Sequence, residues 1–381
     1  MKEKNTESQM EPQRVRYLMG NIACAEGAIS AGCRFYAGYP ITPSSELMEH
    51  MSVKLPAAGG TFIQMEDEIA SICAVIGASW AGVKAMTATS GPGFSLMMEG
   101  LGYAAWTETP CVIVDIQRAG PCTGQATKVG SGDIMQAHYG SHGDYMPVVL
   151  SPWSVQEMYD LTIKLFNFSE MLRVPAILMA DEAVGHLREN VVLHSEFEIV
   201  NRKKKKGFPP FGTDELDFVP PMPSFGEGEK LLVTGSTHDE KGIRRVDDPV
   251  AHSALVERIH KKVEYKRKEI IDIRHEWLED AELVVAAYGF TARAAIAAVK
   301  IARAKGKKVG FLRPVTLWPF PDREIENLLK NVRRVLIPEM NMGQVALLLR
   351  ACTDAEVVQY NQVNGKTIEL ETIEREIERL V

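Results

Sequence analysis

The chain has 381 residues, long enough for two domains and a connector, and its 45% apolar and 24% charged residues are ordinary for a globular protein. A net charge of −7 argues against a general nucleic-acid binder. The opening residues lack the apolar heart of a signal peptide and no later run reaches the roughly 20 apolar residues of a membrane span, so a cytoplasmic location is expected.

Residues 1–15 are polar and are expected to be disordered. From Met19, Ile22, Ala25, Ala28 and Ile29 recur at helical spacing, and Arg34 to Gly38 follows as a strand. Tyr39-Pro40-Ile41-Thr42-Pro43 cannot extend that strand, because prolines lack amide donors and push the residues before them out of the helical region. The pattern predicts a helix with Thr42 as N-cap and Pro43 in its first position, running through Leu47 and Met51. Thr42 would then stand in a stiff turn at the carboxyl end of a strand, where open α/β sheets hold ligands.

Thr61 to Met65 reads as a short buried strand, and Glu66, Asp67 and Glu68 sit at the entry to a helix carrying Ile69, Ala70, Cys73, Ala74 and Gly77. Acids in a first helical turn are favoured by the helix dipole whatever the protein does. The strand Val83 to Thr89 ends in Ser90-Gly91-Pro92-Gly93, where a backbone with few side chains can approach a ligand and the helix Phe94 to Trp106 opens. Cys111 to Gln117 is an apolar strand followed by Arg118. The long glycine-rich stretch beyond it is expected to be a binding loop, carrying Lys128, Asp133, His138, His142 and Asp144. A helix over Pro152 to Phe168 and a strand over Val174 to Ala180 complete domain I, placed at 16–199.

Residues 200–279 read as a connector. Arg202 to Lys206 is expected to be a solvated basic run, and the prolines and glycines of 207–228 leave no regular element. One long amphipathic helix, Ala251 to Leu278, would place Leu255, Ile259, Val263, Ile270 and Trp277 on one side. Domain II, 280–381, reads as three βα units and a closing helix, without the GxGxxG of a dinucleotide site. The fold class is α/β with largely parallel sheets. No two of the six cysteines are spaced as CxxC, so no disulfide framework, zinc site or iron–sulfur site is expected on this chain.

YPITPSS at 39–45, MEDE at 65–68, TSGPGFSLM at 89–97 and HGDY at 142–145, with RPVTLWPFP and PEMNMGQ later, resemble the 2-oxoacid:ferredoxin oxidoreductases. The likeness is strongest to the α subunit of the multi-subunit 2-oxoglutarate enzymes. It implies a thiamine diphosphate-binding fold of the pyrimidine-binding type in domain I, with a smaller transketolase C-terminal-like α/β domain II. By the same match, Glu68 is the carboxyl that hydrogen-bonds the cofactor's aminopyrimidine, with Glu66 the fallback. That task needs a carboxyl in a water-poor pocket, its pKa raised enough to share a proton. Pro40, Ile41, Ser90, Gly91 and Gly93 would line the cofactor. Thr42 and Arg118 would meet the 2-oxoacid, Arg118 through a permanently charged, bidentate fork. Lys128 or His142 would take the distal carboxylate of 2-oxoglutarate.

The family's GDG signature for Mg²⁺ and diphosphate is missing. No metal ligand is therefore expected on this chain, and the resemblance assigns Mg²⁺ and the diphosphate to a β subunit, with the active site between chains. The 4Fe-4S clusters, ferredoxin-like and γ subunits would likewise be partners. The implied reaction is CoA-dependent oxidation of 2-oxoglutarate to succinyl-CoA and CO₂, with electrons passing to ferredoxin. Branched-chain 2-oxoacid relatives share HGDY, which makes 2-oxoisovalerate the alternative substrate. A non-catalytic α/β scaffold is the reading from another class, and it gives no reason to keep Thr42, Glu68 and Arg118 together.

Overall fold

A computed structural model describes residues 14–194 and 196–381; the expectation for residues 1–13 lies outside them. The first body opens with β1 (Arg14–Met19), α1 (Gly20–Ser30), β2 (Cys33–Gly38), α2 (Ser45–Ala57), β3 (Thr61–Gln64), α3 (Glu68–Trp80) and β4 (Lys84–Thr89). After the glycine turn come α4 (Pro92–Leu96), α5 (Met98–Trp106) and β5 (Cys111–Ala119), and the long loop holds β6 (Gln125–Val129) and α6 (Ile134–Tyr139). β7 (Val148–Leu150), α7 (Val155–Leu172), β8 (Pro175–Asp181), α8 (Glu182–His186) and β9 (Arg188–Leu193) follow.

Strands β7, β8, β5, β4, β2 and β3 lie side by side in that order, all parallel, with β6 antiparallel beside β5. Helices cover both faces, which is why β4, β5 and β8 are buried almost without a break along their length rather than at alternate residues. The carboxyl ends of β2, β3, β4 and β5 point to one end of this sheet, and Thr42, Glu68, the glycine turn and Arg118 lie there.

Several expectations are corrected. β3 is an edge strand with Thr61, Ile63 and Gln64 exposed, not a buried one. α2 starts at Ser45 with Ser44 in the N-cap position, so Thr42 is not its cap and Pro43 lies outside it. The reason is a turn closed ahead of the helix, where Ser44 N–H donates to Ile41 O at 2.9 Å. α3 buries Ile72, Val75, Ile76 and Trp80, while Ile69, Cys73 and Gly77 face outward. Arg14 and Val15, expected to be disordered, pair in β1 with β9 as an antiparallel ribbon.

Residues 196–248 contain no helix or strand among those described, yet the connector is packed rather than solvated. Arg202 is buried, paired with the equally buried Glu170 of α7 and donating to Ser79 O at 2.8 Å. Only the lysines that follow it stay at the surface, Lys203 with Glu215 and Asp217, Lys204 with Glu227. The expected long helix is α9 (Pro249–Tyr265) and a short α10 (Arg267–Ile270); the chain then leaves helical geometry for β10 (Ile273–Glu276). Pairing decides this, because Asp272 N–H donates to Thr316 Oγ1 at 3.0 Å and β10 joins the second sheet.

A buried ionic knot fastens α9 to the first body. Lys262 donates to Glu108 at 2.9 Å and to Arg173 O at 2.7 Å, and Arg258 pairs with the same carboxylate at 2.6 Å. Burial alone would raise Glu108, but Arg258, Lys262 and Arg173 hold it down at about 2. Arg173 donates to the carbonyls of Glu108, Pro210 and Pro221 and lies over the rings of Trp80 and Phe211.

The second body comprises β11 (Leu283–Ala286), α11 (Thr291–Ala304), β12 (Val309–Pro314), α12 (Asp322–Leu329), β14 (Arg334–Glu339), α13 (Gln344–Cys352), β15 (Glu356–Asn361) and α14 (Leu370–Leu380). Its sheet runs β10-β12-β11-β14-β15, parallel except for β10. Within RPVTLWPFP, β13 (Thr316–Trp318) crosses over and pairs antiparallel with β7, adding a strand to the first sheet.

Candidate active site

Three consecutive acids enter α3, and the fold gives each a different environment. Glu66 is exposed. Asp67 is the N-cap, its carboxylate accepting Ala70 N–H at 2.7 Å. Glu68, the first helical residue, turns inward and is only 4% exposed. Burial raises its pKa and the charge of Asp67 adds to the rise, while Arg118 opposes it.

The glycine turn is shaped around this carboxyl. A Cβ at Gly93 would overlap Glu68 Oε1 and Thr89 Oγ1, so only glycine leaves both where they are. Gly91 adopts φ 42, open to glycine at little strain, and passes close to the Arg118 side chain. Thr89 Oγ1 and Ser90 Oγ are buried without a hydrogen-bond partner among the described residues, although unpaired polar atoms in such places are costly.

Arg118 sits near the end of β5, 6% exposed, and its Nη1 donates to Thr42 O at 2.8 Å. Its Nε is buried without a partner. The Thr42 turn is held from the other side by Asn21, which donates to Pro43 O at 2.8 Å and to Glu46 at 2.9 Å. Arg118 opens onto a cleft of about 490 Å³ whose walls include Gly91, Ser95, Cys122, Asp133, Asn341 and Gln344.

The far wall belongs to the second body. Asn341 Nδ2 donates to Ser131 O at 2.7 Å, Ser131 N–H to Met340 O at 3.2 Å, and Met135 N–H to Gln344 Oε1 at 2.9 Å. The turn providing these contacts is rigid. Asn341 Oδ1 accepts the amides of Gly343 and Gln344, and Glu339 accepts those of Val345 and Ala346.

Residues 26–258 match the family model for pyruvate flavodoxin/ferredoxin oxidoreductase, thiamine diphosphate-binding, and residues 281–373 match pyruvate:ferredoxin oxidoreductase core domain II. Over 369 residues the chain is 52% identical to the 2-oxoglutarate synthase subunit KorA of Methanocaldococcus jannaschii, covering 96% of this chain and 99% of that protein. The chain belongs to the 2-oxoacid:ferredoxin oxidoreductase family, as an α subunit. It is also 37% identical over 368 residues to the ketoisovalerate oxidoreductase subunit VorB of Methanothermobacter marburgensis, covering 95% of this chain and 97% of that one. Among solved structures it resembles the 2-oxoglutarate:ferredoxin oxidoreductase of Magnetococcus marinus, solved with 2-oxoglutarate, coenzyme A and succinyl-CoA bound, at TM-score 0.92 and 33% identity. That match covers 97% of this chain and 66% of the longer one.

The α subunit therefore carries a thiamine diphosphate-binding domain of an oxidoreductase family. The inward carboxyl of Glu68, the cradle at Gly93 and the unpartnered hydroxyls of Thr89 and Ser90 fit a polar heteroaromatic ligand at this turn. Ile41 is half-buried and Pro40 exposed at its rim. Thr42 and Arg118 are brought together with the glycine turn, and Lys128 and His142 are not. Lys128 projects from β6 into solvent beside Gly365. His142, at φ 73, lines a separate cleft of about 330 Å³ with Tyr103, Trp106 and His252.

Sequence reasoning gave no role to two acids that the fold sets against each other, Asp115 on β5 and Asp133 at the start of α6, the second lining the cleft with Arg118. The first had a signal: a carboxyl inside the apolar run CVIVDIQ contradicts the burial that such a strand requires.

Proposed function

We propose that this α subunit supplies the aminopyrimidine side of a thiamine diphosphate site in a 2-oxoglutarate:ferredoxin oxidoreductase. The complex oxidises 2-oxoglutarate with CoA to succinyl-CoA and CO₂ and delivers two electrons to ferredoxin. The observation that carries this reading is Glu68, alone of three neighbouring acids turned inward against Gly93, with its pKa raised by burial.

Thiamine diphosphate, when bound, supplies a carbon nucleophile and an electron sink. Glu68 holds a shared proton at the ring nitrogen of the aminopyrimidine, which a carboxyl does best when burial brings its pKa toward working pH. Ser90, Gly91 and Gly93, with Pro40 and Ile41, shape the wall on which the cofactor rests. Arg118 takes the 2-oxoacid carboxylate on the edge of its guanidinium left unpaired by Thr42 O, and Thr42 orients the carbonyl group. Both Thr42 and Arg118 stay fixed while they do so, because each is anchored through backbone contacts.

A β subunit provides the ligands for Mg²⁺ and diphosphate, and further subunits, γ and ferredoxin-like, carry 4Fe-4S clusters. An outward apolar surface next to Glu68, with Ile63, Ile69, Cys73 and Leu96 exposed, supports such a neighbour. No helix among the described residues is long and apolar enough to cross a membrane, and we place the complex in the cytoplasm. One observation favours 2-oxoisovalerate as a second reading: Arg118 is the one cation among the described residues lining the cleft, which is enough for a monocarboxylate.

The test is co-expression with a GDG-containing partner, followed by a panel of 2-oxoacids with thiamine diphosphate, CoA and a viologen dye. A kcat/KM for 2-oxoglutarate at least tenfold above the others is expected. Preference for 2-oxoisovalerate selects the second reading, and no turnover of any 2-oxoacid by the assembled complex sinks both.

A further inference from the structure

Asp115 precedes Arg118 by three residues on β5, is wholly buried, and, with both acids ionised, has no hydrogen-bond donor for either carboxyl oxygen among the described residues. Asp133 occupies the N-cap position of α6 without capping it: no helix amide donates to its side chain, and its Oδ2 is buried and unpartnered. Aspartate at an N-cap ordinarily accepts the free amides there. Here the side chain is turned away to line the cleft with Arg118, and the Asp133 amide donates to Gln117 Oε1 at 3.1 Å, which ties the residue to β5. A capping role does not explain this placement.

We propose that Asp133, backed by Asp115, is the counter-ion of Arg118, and that a 2-oxoacid carboxylate replaces it with uptake of a proton by the aspartate pair. The inference rests on the proposed role of Arg118 and adds a linkage that the role does not contain.

Two neighbouring carboxyls in a dry wall do not both ionise. Burial raises both; the charge of Asp133 raises Asp115 well above the ordinary carboxylate range, and a hydrogen bond from Asp115 together with the charge of Arg118 brings Asp133 to about 6. The pair therefore holds one proton at neutral pH, and its single negative charge faces Arg118. Other ionisable groups acting on Arg118 are Glu68 and Cys122, while the opposing wall offers the neutral amides of Asn341 and Gln344. A substrate carboxylate roughly 6 Å from Asp133, at an effective dielectric of about 20, raises its pKa by about two units. Between pH ~6 and ~8 the bound form keeps a proton that the free form has lost. Affinity for the 2-oxoacid accordingly falls as pH rises through that window. Asp133 acts through Arg118, as a positioning residue.

The experiment uses the reconstituted complex loaded with a non-reacting thiamine diphosphate analogue. Binding of 2-oxoglutarate is followed by calorimetry in buffers of different ionisation enthalpy, and the KM of the native holoenzyme is measured from pH 5.5 to 8.5. Expected are uptake approaching one proton per substrate near pH 7, and a KM that climbs toward tenfold per pH unit above about 6. In Asp133→Asn the uptake should vanish and KM should become flat with pH, falling below the native value at pH 8. Wild-type binding without proton uptake overturns the proposal and needs no variant; so does an Asp133→Asn complex that keeps the native pH profile. Arg118→Ala separates the two layers. If it still binds 2-oxoglutarate normally, the role of Arg118 is wrong; if it abolishes binding while uptake is absent in wild type, only the linkage is wrong.

Discussion

Replacing Gly93 with alanine should disable the site while leaving the fold nearly intact. An ideal Cβ at Gly93 stands 2.7 Å from Glu68 Cδ, where ordinary contacts lie at 3.4–4 Å. Either the carboxyl retreats by about 1 Å or the start of α4 moves by a similar amount. Overpacking of this kind costs about 1–3 kcal/mol, and alanine's better helix propensity offsets about 0.5–1 kcal/mol of it, so Tm should fall by only a few degrees. Displacing an acid–base group by about 1 Å costs on the order of 10²-fold in rate. The assay is turnover of the reconstituted complex alongside Tm and subunit assembly. Glu68→Asp combined with Thr89→Ala provides the internal control, because together they remove both sets of clashing atoms; Gly93→Ala should cost much less stability in that background, a non-additivity diagnostic of contact. Turnover within a few-fold of native in Gly93→Ala, or equal stability losses in both backgrounds, would refute the contact as the reason glycine is needed.

Glu68→Gln should preserve assembly while slowing proton exchange at the cofactor's C2, followed by NMR, and turnover by 10²–10⁴-fold, whereas the exposed Glu66→Gln should do little; the reverse order would mean that the wrong acid has been chosen. Asp181 accepts the amides of Val184 and Phe290, and burial raises it from 3.8 to about 6 in spite of them. A raised acid gives stability that is complete below its unfolded pKa and lost as pH climbs through the folded one, here about 3 kcal/mol between pH ~4 and ~6. The Tm of native protein relative to Asp181→Asn should therefore drop across that interval, and a constant difference counts against it. Lys262→Met removes one of the cations around the fully buried Glu108 and should cost about 3 kcal/mol, with hydrogen exchange rising first in α9; unchanged unfolding would show that Arg258 and Arg173 suffice.

Much of the parallel sheet was legible because β2, β4 and β5 each run into a turn with glycine or proline and β5 and β8 are largely apolar, whereas the three-residue β7 carries too short a signal. The register of α3 was not. Its small apolar residues Ile69, Cys73 and Gly77 face outward, while the inward face includes Ser71 and Ser79, whose hydroxyls are satisfied by Asp67 O and Pro110 O. Hydropathy alone ranks these two faces the wrong way round. The β1–β9 ribbon pairs Arg14 with Leu193, a separation over which no periodicity acts. Composition correctly denied residues 207–228 regular structure but missed their burial, since the carbonyls of Pro210 and Pro221 are collected by the buried Arg173. Glu68 and Arg118 were singled out through the motifs they stand in, and the fold brings both to the glycine turn after β4. Asp133 was noted without a role, because its meaning depends on Asp115 and on a helix it declines to cap.

What the two bodies achieve together follows from burial. A carboxyl shares a proton near neutrality only where water is excluded, and neither the turn after β4 nor the loop after β5 can exclude it alone. β13 extends the first sheet from within the second body, and the rigid Glu339–Gln344 turn presses on Ser131 to Met135 through amide and carbonyl contacts. These contacts hold Asp133 in the cleft wall without adding any charge to it. Loosening the turn would admit water to the acid pair, lower its pKa values and leave two anions facing one arginine. The second body thereby governs the electrostatics of the cleft that Arg118 lines, although it contributes only neutral side chains to the part of the wall that faces Arg118.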